Sequence, residues 1–356
     1  MNASGSPLGG DETTTVEAGF DRLARYLAEN LSVDLGDVSI RRLTEGHSNL
    51  TYLVACGGES YVLRRPPIGP LPPSAHDVLR EFRVLSVLEG RGARTPRAIL
   101  ACADPKVFGA PFYLMEHVDG VVLRDSLPTG IDSTTAAADV SAELIDALAE
   151  LHEVDWEGAG FGGIASGTGY LDRQLRLWRR QWDHNRTRDL EVVETVGAWL
   201  ESNQPPESAV TIVHGDYKID NLIFASVDGR LRAEAIVDWE MATLGDPLAD
   251  LGFLTAVWSE PGEDPAVLLG LSKITTTLGF DSRSRLASRY ADVTGRDIGN
   301  LRWYQVLAIW KLAILLEGSY RRYLARTTDD SWFEGLAGGV PTLLERAAEL
   351  TRTKED

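Results

Sequence analysis

Apolar residues near the start of the chain recur at the spacing of a helix. They stand three or four positions apart, at Phe20, Leu23, Leu27 and Leu31. That spacing puts them on one face and predicts a helix over residues 16–31. Residues 1–15 are rich in Gly, Ser and Thr, so we predict a disordered tail there.

Short runs of β-branched and aromatic residues follow and predict the strands of a small sheet. They occupy Val38–Leu43, Thr51–Ala55, Tyr61–Arg64 and Phe112–Glu116. One helix interrupts them, with its apolar stripe at Val78, Phe82, Leu85 and Leu88. We expect Ser74 to cap the N-terminus of this helix and Asp77, three positions on, to complete a capping box.

The pattern changes after Gly120, where apolar residues keep helical spacing through several segments. These stripes lie at Val140–Leu151, Leu171–Trp182, Leu301–Tyr323 and Pro341–Leu350. The hydrophobic pattern therefore predicts a small β-rich lobe that ends near residue 116, followed by a larger, mostly helical lobe.

Composition narrows the class of protein. The 356 residues are 44% hydrophobic and 25% charged, which is ordinary for a globular protein. The formal net charge of −18 argues against nucleic-acid binding; it either attracts cationic substrates or only favours solubility. The two cysteines, Cys56 and Cys102, are too few for a disulfide framework. With no leader-like segment and no apolar run of membrane-spanning length, we predict a cytoplasmic protein without membrane contact.

Residues Val213–Phe224 read VHGDYKIDNLIF and carry the strongest chemical signal. His214, Asp216 and Asn221 have the spacing H-x-D-x-x-x-x-N of a protein-kinase catalytic loop. In such a loop the aspartate accepts the proton of the attacking hydroxyl, and the asparagine places a neutral oxygen on Mg²⁺. We therefore predict Asp216 as the catalytic base and Asn221 as a metal ligand.

A second carboxylate, Asp238, follows the apolar run Ala235–Val237. The segment Asp238–Glu240 (D-W-E) stands in the place of the kinase D-F-G motif, whose aspartate holds Mg²⁺. Because this ion prefers hard oxygen ligands, we predict that Asn221 and Asp238 hold it together. The alternative is that Asp216 and Asp238 are only turn and strand-end residues.

The H-G-D-x-x-x-x-N loop, the D-W-E segment and the G-D-P-x-x-D-L run at Gly245–Leu251 resemble the aminoglycoside phosphotransferase and choline kinase-like family. The residues of these motifs are most similar to those in the kinase-like domain of acyl-CoA dehydrogenase family members 10 and 11 and their free-standing bacterial relatives. The resemblance covers nearly the whole chain. It implies an α+β, bilobal protein-kinase-like fold with an N-lobe over residues 16–116, a hinge over 117–120 and a C-lobe over 121–356.

The same resemblance implies how the N-lobe binds ATP. Strand Tyr61–Arg64 fits the V-A-I-K strand of kinases, with Arg64 in the lysine position that grips the α- and β-phosphates. Glu81 on the following helix would hold Arg64 in place. Strand alternation puts Val62 on the same face, over the adenine, and turns the alternative basic residue, Arg65, the other way.

Two further contacts with the nucleotide follow from the resemblance. Ser48, in the loop between the first two strands, would bind phosphate oxygens, although an ordinary hairpin turn explains that loop nearly as well. The segment Met115–Val118 is similar to a kinase hinge, in which the Glu116 carbonyl and the Val118 amide bind the adenine edge. A plain linker is the alternative for that segment.

Several C-lobe residues are expected to support the site. The resemblance implies that Asp246 and Asp250 bind backbone amides near the catalytic loop, and Asp250 is also expected to cap the next helix. We expect His214 to be structural. Glu240 is left open between the metal surroundings, the substrate and the surface.

We expect residues of the large lobe to select the phosphate acceptor. Six arginines between Arg173 and Arg188 form either a site for a phosphorylated carrier such as coenzyme A or a solvated helix face. The tryptophans are expected in the core.

Three functions are weighed: a small-molecule hydroxyl kinase acting on a hydroxyacyl thioester, an aminoglycoside kinase, and a nucleotide-binding pseudokinase that serves as an interaction module. The retained Asp216, Asn221 and Asp238 argue against the last. For the first two we expect ATP and Mg²⁺ as cofactors, a small-molecule hydroxyl acceptor and direct in-line transfer.

Overall fold

The computed structural model describes residues 10–43, 49–67, 77–165, 167–326 and 331–352, with side chains in the first stretch described from Gly19 onward. The chain divides into two compact units. Unit 1 comprises Met1–Glu89 and Pro96–Val118, and unit 2 comprises Gly90–Thr95 and Asp119–Asp356. The chain thus leaves unit 1 at Glu89, returns to it at Pro96 and leaves it again after Val118.

Unit 1 is built on a five-stranded antiparallel sheet with the spatial order β1-β2-β3-β5-β4. The strands are β1 (Val38–Leu43), β2 (Leu50–Cys56), β3 (Glu59–Arg65), β4 (Ala98–Cys102) and β5 (Phe112–Glu116). The helices are α1 (Gly10–Leu31), α2 (Val78–Leu88) and the short α3 (Pro105–Phe108). The predicted strands and both predicted helices are present, and β4 and α3 are additional to the prediction.

The core of unit 1 lies between α1 and one face of the sheet. Leu23 and Leu27 of α1 are fully buried in one cluster with Leu63 and Leu114 of the sheet. The stripe that predicted α1 is therefore the face that anchors it, since burying such side chains stabilises the fold by about 1.5–3 kcal/mol each.

Both helix starts in unit 1 differ from the prediction. α1 begins at Gly10, so residues 10–15 of the predicted tail are helical, while residues 1–9 lie outside the described part of the chain. Tertiary packing of the stripe stabilises a helix whose first residues have weak propensity of their own. α2 is capped by Asp77, whose carboxylate accepts a hydrogen bond from the Arg80 N–H at 3.0 Å. Asp77 is therefore the N-cap itself, and Ser74 lies outside the described residues.

Unit 2 is mostly helical. Its longer helices are α4 (Ser133–His152), α5 (Tyr170–Asn185), α6 (Glu191–Ser202), α7 (Leu248–Val257), α8 (Arg283–Thr294), α9 (Leu301–Leu324) and α10 (Leu336–Arg352). α9 packs against α5, α7 and α10. The predicted helical stripes fall within α4, α5, α9 and α10. Tryptophans such as Trp178, Trp182 and Trp310 are buried, as expected of core residues.

Two small sheets in unit 2 position the segments that carry the motifs. β6 (Val121–Val122), β8 (Leu222–Val227) and β9 (Arg230–Ile236) form one sheet in the order β6-β8-β9. β7 (Thr211–Val213) and β10 (Thr243–Gly245) form an antiparallel pair. The H-G-D motif follows β7, and the D-W-E motif follows β9.

Hydrogen bonds of Arg94 attach the segment 90–95 to unit 2. The Nε and Nη2 of Arg94 each lie 2.7 Å from a carboxylate oxygen of Glu150, and its Nη1 donates to Glu143 and to the Ala233 carbonyl. The Ile236 N–H donates to the Arg94 carbonyl at 2.8 Å. The hydrogen bonds to Glu150 and Glu143 outweigh burial and raise the pKa of Arg94, so its charge is fixed.

None of the described helices combines the length and the apolar character needed to cross a bilayer.

Candidate active site

The loop between β7 and β8, His214–Asn221, is called the H-G-D loop below. Its backbone turns sharply at Gly215, where φ is 87°. A Cβ at this position would lie 2.7 Å from the Met241 carbonyl oxygen and 2.9 Å from the Met241 Cβ. Glycine is required here for two reasons, because an L side chain disfavours this backbone conformation and would also collide with Met241.

A buried carboxylate holds the start of this loop. Asp250, in the first turn of α7, accepts hydrogen bonds from the N–H of His214 at 2.6 Å and of Gly215 at 2.8 Å. The Nε2 of His152 lies 3.3 Å from the same carboxylate, and its Nδ1 lies 2.7 Å from the Tyr290 hydroxyl. Burial alone would raise the pKa of Asp250. The hydrogen bond and the charge of His152 make the largest opposing contributions, and with the other contacts they lower the pKa below its usual value. Asp250 therefore braces the loop as a charged acceptor.

The N-cap residue of α7 is Pro247, and Asp246, rather than Asp250, accepts a hydrogen bond at the start of this helix. Asp246 Oδ1 accepts the Leu248 N–H at 2.9 Å, and its other oxygen accepts the Ser208 N–H at 2.5 Å. The expectation for Asp250 was wrong because α7 begins at Leu248, so Asp250 already lies inside the helix.

His214 joins the H-G-D loop to the segment that leads into Asp238. The ring is fully buried, with Nε2 2.9 Å from the Val237 carbonyl oxygen and Nδ1 3.3 Å from the Asp216 amide nitrogen. Because a carbonyl only accepts, Nε2 carries the proton and Nδ1 accepts from the amide. Both ring nitrogens are thus used in structural contacts, which confirms the structural part expected of His214.

The carboxylate of Asp216 is oriented by two neighbours in the loop. Asn221 Nδ2 donates to Asp216 Oδ2 at 2.9 Å and to the Asp216 backbone carbonyl at 2.8 Å. The Lys218 ammonium lies 2.5 Å from the same Oδ2. The Asp216 side chain is 28% exposed, so it is held in one orientation but is still accessible to a second molecule.

The sequence interpretation overlooked Lys218. Burial alone would lower its pKa, but Asp216, Asp220 and Asp238 outweigh burial and raise the pKa above its usual value. Lys218 is therefore a fixed cation among three carboxylates. The available signal was a basic residue two positions after Asp216, but sequence alone does not show that its ammonium turns back onto that carboxylate.

Asp220 lies in the same group of charges. Burial raises the pKa of Asp220, with Lys218 acting in the opposite direction. Its Oδ1 is buried, has no hydrogen-bond partner among the described residues and lies 4.0 Å from the Lys218 ammonium.

Asp238 follows β9 in a left-handed backbone conformation, with φ 69° and ψ 64°. Aspartate tolerates this conformation better than most residues that carry a Cβ. The preceding Val237 N–H donates to the Asn221 carbonyl at 2.9 Å, so the two segments that carry the predicted metal ligands are bonded to each other.

The donor set at Asn221 and Asp238 fits Mg²⁺. Both hydrogen bonds of the Asn221 amide use Nδ2, which leaves Oδ1, a neutral oxygen, for another partner. Asp238 adds a carboxylate. Within the described ranges no three His, Cys, Asp or Glu side chains form a metal-binding group. A pair of oxygen donors suits an ion that keeps waters and phosphate oxygens as its other ligands.

In unit 1, the structure brings Arg64 and Glu81 together. Arg64 Nη1 lies 3.5 Å from Glu81 Oε2, and both side chains are buried. Glu81 also accepts from Asn49 Nδ2 at 3.0 Å and from the Tyr113 hydroxyl at 3.0 Å. The sequence predicted the partner of Arg64 but not the two neutral donors that hold Glu81.

Arg65 lies on the opposite face of β3, as alternation predicts. Its Nη2 lies 3.2 Å from the Tyr52 hydroxyl, and its guanidinium carbon lies 4.5 Å from the centre of the Phe108 ring. Arg65 is thus part of the packing between the sheet and its helices.

The other residues expected to bind ATP occupy several places in unit 1. Val62 pairs with Met115 across β3 and β5 and is partly exposed. Glu116 ends β5, and its carboxylate accepts from the Arg97 N–H at 3.1 Å and from Arg97 Nε at 3.2 Å. Val118 is the last residue of unit 1, and Ser48 lies outside the described residues. Their binding of adenine or phosphate stays a prediction.

The arginines of the 173–188 segment include three with acidic partners in the chain. Arg179 pairs with Glu194 and Glu201, and Arg186 pairs with Asp189. Arg188 lies 3.0 Å from the fully buried Glu317. These contacts favour a structural part for the three over a phosphate site.

Comparison with known proteins places this arrangement in a family. Residues 39–278 match the phosphotransferase enzyme family. Acyl-CoA dehydrogenase family member 11 of Gallus gallus is 35% identical over 346 residues, which cover 94% of this chain and 44% of that protein. Family member 10 of Mus musculus is 30% identical over 306 residues, which cover 85% of this chain and 28% of that protein. This chain thus spans less than half the length of these relatives.

Solved structures show the same fold. A Ralstonia eutropha protein described as an aminoglycoside phosphotransferase has a TM-score of 0.76 at 27% identity, covering 94% of this chain and 99% of that chain. A thermostable mutant of the aminoglycoside phosphotransferase APH(4)-Ia, in complex with AMP-PNP and hygromycin B, has a TM-score of 0.61 at 17% identity, covering 92% of this chain and 97% of that chain. These neighbours confirm the α+β, kinase-like fold. With its motifs, its profile match and its fold in agreement, this chain belongs to the phosphotransferase enzyme family, as the sequence resemblance predicted.

Proposed function

We propose that this protein transfers the γ-phosphate of ATP, with Mg²⁺, to a hydroxyl group of a small molecule. The observation that carries the proposal is the oriented Asp216 carboxylate. Lys218 and Asn221 both occupy its Oδ2. Its Oδ1 has no hydrogen-bond partner among the described residues, so it is the atom available to an acceptor hydroxyl.

Asp216 would accept the proton of that hydroxyl as its oxygen attacks the γ-phosphorus. The O–P bond to the acceptor forms while the bond to the ADP oxygen breaks, without a phospho-enzyme. Little covalent chemistry is required of the protein in such a transfer, so positioning and charge stabilisation supply most of the rate.

The remaining residues are assigned to nucleotide and metal. Asn221 Oδ1 and the Asp238 carboxylate would hold Mg²⁺, which when bound neutralises charge on the phosphate oxygens. Arg64, held by Glu81, would bind phosphate oxygens, and Lys218 would stabilise charge on the transferred group. Val62, Glu116 and Val118 are proposed to contact the adenine. The AMP-PNP in the APH(4)-Ia complex supports ATP as the donor.

For the acceptor we propose a hydroxyacyl thioester or a related hydroxy compound. The resemblance to the acyl-CoA dehydrogenase family members 11 and 10 supports this class. An aminoglycoside is the second candidate, favoured by the net charge of −18, which attracts cations. A binding module without catalysis is disfavoured, because it has no need of an oriented base.

We place the reaction in the cytosol. Both cysteines, Cys56 and Cys102, are free and buried, in keeping with a reducing compartment.

The test is ADP release from Mg·ATP in the presence of a hydroxyacyl-CoA panel and an aminoglycoside panel. Turnover with one panel that is lost in Asp216→Asn would support the proposal and select the acceptor class. Turnover that persists in Asp216→Asn would contradict the role of the base. ATP binding without ADP release on either panel would favour the binding module.

A further inference from the structure

The Asp220 carboxylate lies in the H-G-D loop, and the proposed reaction does not use it. Asp220 stands in the short helical turn Ile219–Asn221, and its side chain is 30% exposed. One of its oxygens, Oδ1, is buried and has no hydrogen-bond partner in the described part of the chain. Buried polar atoms nearly always have a partner, because removing one from water without a hydrogen bond is costly.

The Lys218 ammonium is the cation beside this oxygen. Its Nζ lies 4.0 Å from Asp220 Oδ1 and 2.5 Å from Asp216 Oδ2. A hydrogen bond between an ammonium and a carboxylate spans about 2.7–2.9 Å, so the Lys218 ammonium is about 1 Å too far from Asp220 to form one. The two carboxylates therefore have one cation in common, and only Asp216 is bonded to it.

The two contacts of Asp216 Oδ2 differ in how firmly each partner is held. Asn221 Nδ2 also donates to the Asp216 backbone carbonyl at 2.8 Å, so this amide is fixed at two points. The Lys218 ammonium makes one hydrogen bond among the described residues, at the end of a flexible four-carbon stem. Lys218 is therefore the contact that can leave Asp216.

The ammonium can leave only if another acceptor receives it. The Lys218 side chain is 12% exposed, and a buried charge that loses its partner is strongly destabilising. A rotation of the stem that moves Nζ by about 1 Å would bring it into hydrogen-bond distance of Asp220 Oδ1. Asp220 thus offers the same side chain a second carboxylate within reach.

We propose that Asp220 is a positioning residue for Lys218 and receives its ammonium when Mg·ATP binds, so that Lys218 turns from the base toward the transferred phosphate. The inference rests on the proposed function and deepens it. Phosphate oxygens compete with Asp216 for the ammonium, and Asp220 keeps the cation paired while it contacts the phosphate. Asp216 keeps its hydrogen bonds from Asn221 and faces the acceptor hydroxyl.

A double-mutant cycle on ADP release tests whether Asp220 acts through Lys218. Asp220→Asn keeps the size of the side chain and removes its charge, and should lower kcat by about 10-fold, as for loss of a charged hydrogen bond. Asp220→Glu, which keeps the charge, should recover part of the loss. In the Lys218→Met background, Asp220→Asn should have no further effect on kcat.

A control variant and a measurement of folding accompany the cycle. Asp292→Asn makes the same charge change at an exposed position and should keep the wild-type kcat. Thermal unfolding of every variant separates a loss of kcat from a loss of folded protein.

The position of the ammonium is measured directly in crystal structures with and without Mg·AMP-PNP. We expect Lys218 Nζ on Asp216 without the nucleotide and within about 3 Å of Asp220 Oδ1 with it. This measurement does not depend on turnover or on the identity of the acceptor.

The outcomes separate the positioning role from the phosphotransfer itself. An ammonium that stays on Asp216 in both structures, a wild-type kcat in Asp220→Asn, or an equal loss in the Lys218→Met background would overturn the role of Asp220. If the ammonium moves to Asp220 but no acceptor supports ADP release, its movement stands and the proposed phosphotransfer is contradicted.

Discussion

Asn221 donates two hydrogen bonds to Asp216 from one nitrogen, at 2.8 Å to the backbone carbonyl and 2.9 Å to the carboxylate. A single amide thereby orients the proposed base and leaves its own oxygen for the proposed metal ion. The proposed base and the proposed metal site would then be coupled through one side chain.

Replacing this amide is expected to damage both functions. Asn221→Ala should lower kcat by about 100-fold, in the range for a misplaced general base, and should raise the Mg²⁺ concentration needed for half-maximal rate. ADP release measured against Mg²⁺ concentration checks both effects. Asn203→Ala, at an exposed asparagine, is the control. An unchanged Mg²⁺ requirement would refute the metal assignment of Asn221.

Lys218 is expected to act on rate more than on stability. Lys218→Met removes a cation from a group of three carboxylates and should lower kcat by about 10- to 100-fold, as for loss of one charge-stabilising donor. Lys218→Arg should recover part of the loss because it keeps the charge. Steady-state kinetics with both variants provide the measurement, and a wild-type kcat in Lys218→Met would remove Lys218 from the mechanism.

Substitutions at Gly215 and Gly229 separate the cost of backbone strain at a positive φ from the cost of a steric collision with Met241. Gly215→Ala combines a positive φ with the approach to Met241, whereas Gly229→Ala has a φ of 75° and nothing within 4 Å of the added Cβ. Backbone strain alone costs about 1–3 kcal/mol. We expect Gly229→Ala to lose about that much stability with normal activity, and Gly215→Ala to lose more stability and most activity. Equal unfolding free energies for the two variants would show that the collision is relieved at no cost.

The charge of Asp250 should make stability depend on acidity. Because its folded pKa lies below the unfolded one, its contribution is present above the unfolded pKa and is lost as pH falls through the folded value. The difference in unfolding free energy between wild type and Asp250→Asn should therefore be constant near neutrality, about 2 kcal/mol or more, and shrink below about pH 4. Urea unfolding at several pH values measures it. A difference that grows on acidification would contradict the assigned pKa direction.

Arg64 and Arg65 form a matched pair of adjacent buried arginines. Arg64→Met should raise KM for ATP by about 10-fold or more, because it removes a charged phosphate contact. Arg65→Met should lower the melting temperature and leave KM for ATP unchanged, because Arg65 packs on Tyr52 and Phe108. Nucleotide kinetics together with thermal unfolding separate the two, and the reverse pattern would exchange their roles.

The sequence was sufficient to predict the candidate site residues whose positions follow from local spacing. Asp216, Asn221 and Asp238 stand in motifs whose spacing follows from the turns between short strands, and Arg64 and Glu81 follow from strand and helix periodicity. The sequence did not predict the contacts of Lys218 with Asp216 or of Asn49 and Tyr113 with Glu81, because these contacts depend on the path of the backbone between elements. The early start of α1 and the cap at Asp77 were missed for a related reason, since helix ends depend on packing and on local side-chain contacts more than on composition.

Between residues 89 and 119 the chain leaves unit 1, returns to it and leaves it again. This path limits where the genes of two related proteins can be joined to give a folded chimaera. Glu143 and Glu150 obtain their arginine from a segment that precedes β4 and β5 of the other unit. No single crossover point therefore divides this gene into its two units. A break after Glu89 would divide the sheet of unit 1, and a break after Val118 would carry Arg94 away from both carboxylates. An exchange of units between two relatives should therefore give a functional chimaera only where residues 90–95 come from the parent that supplies Glu143 and Glu150, and where β1 to β5 come from one parent.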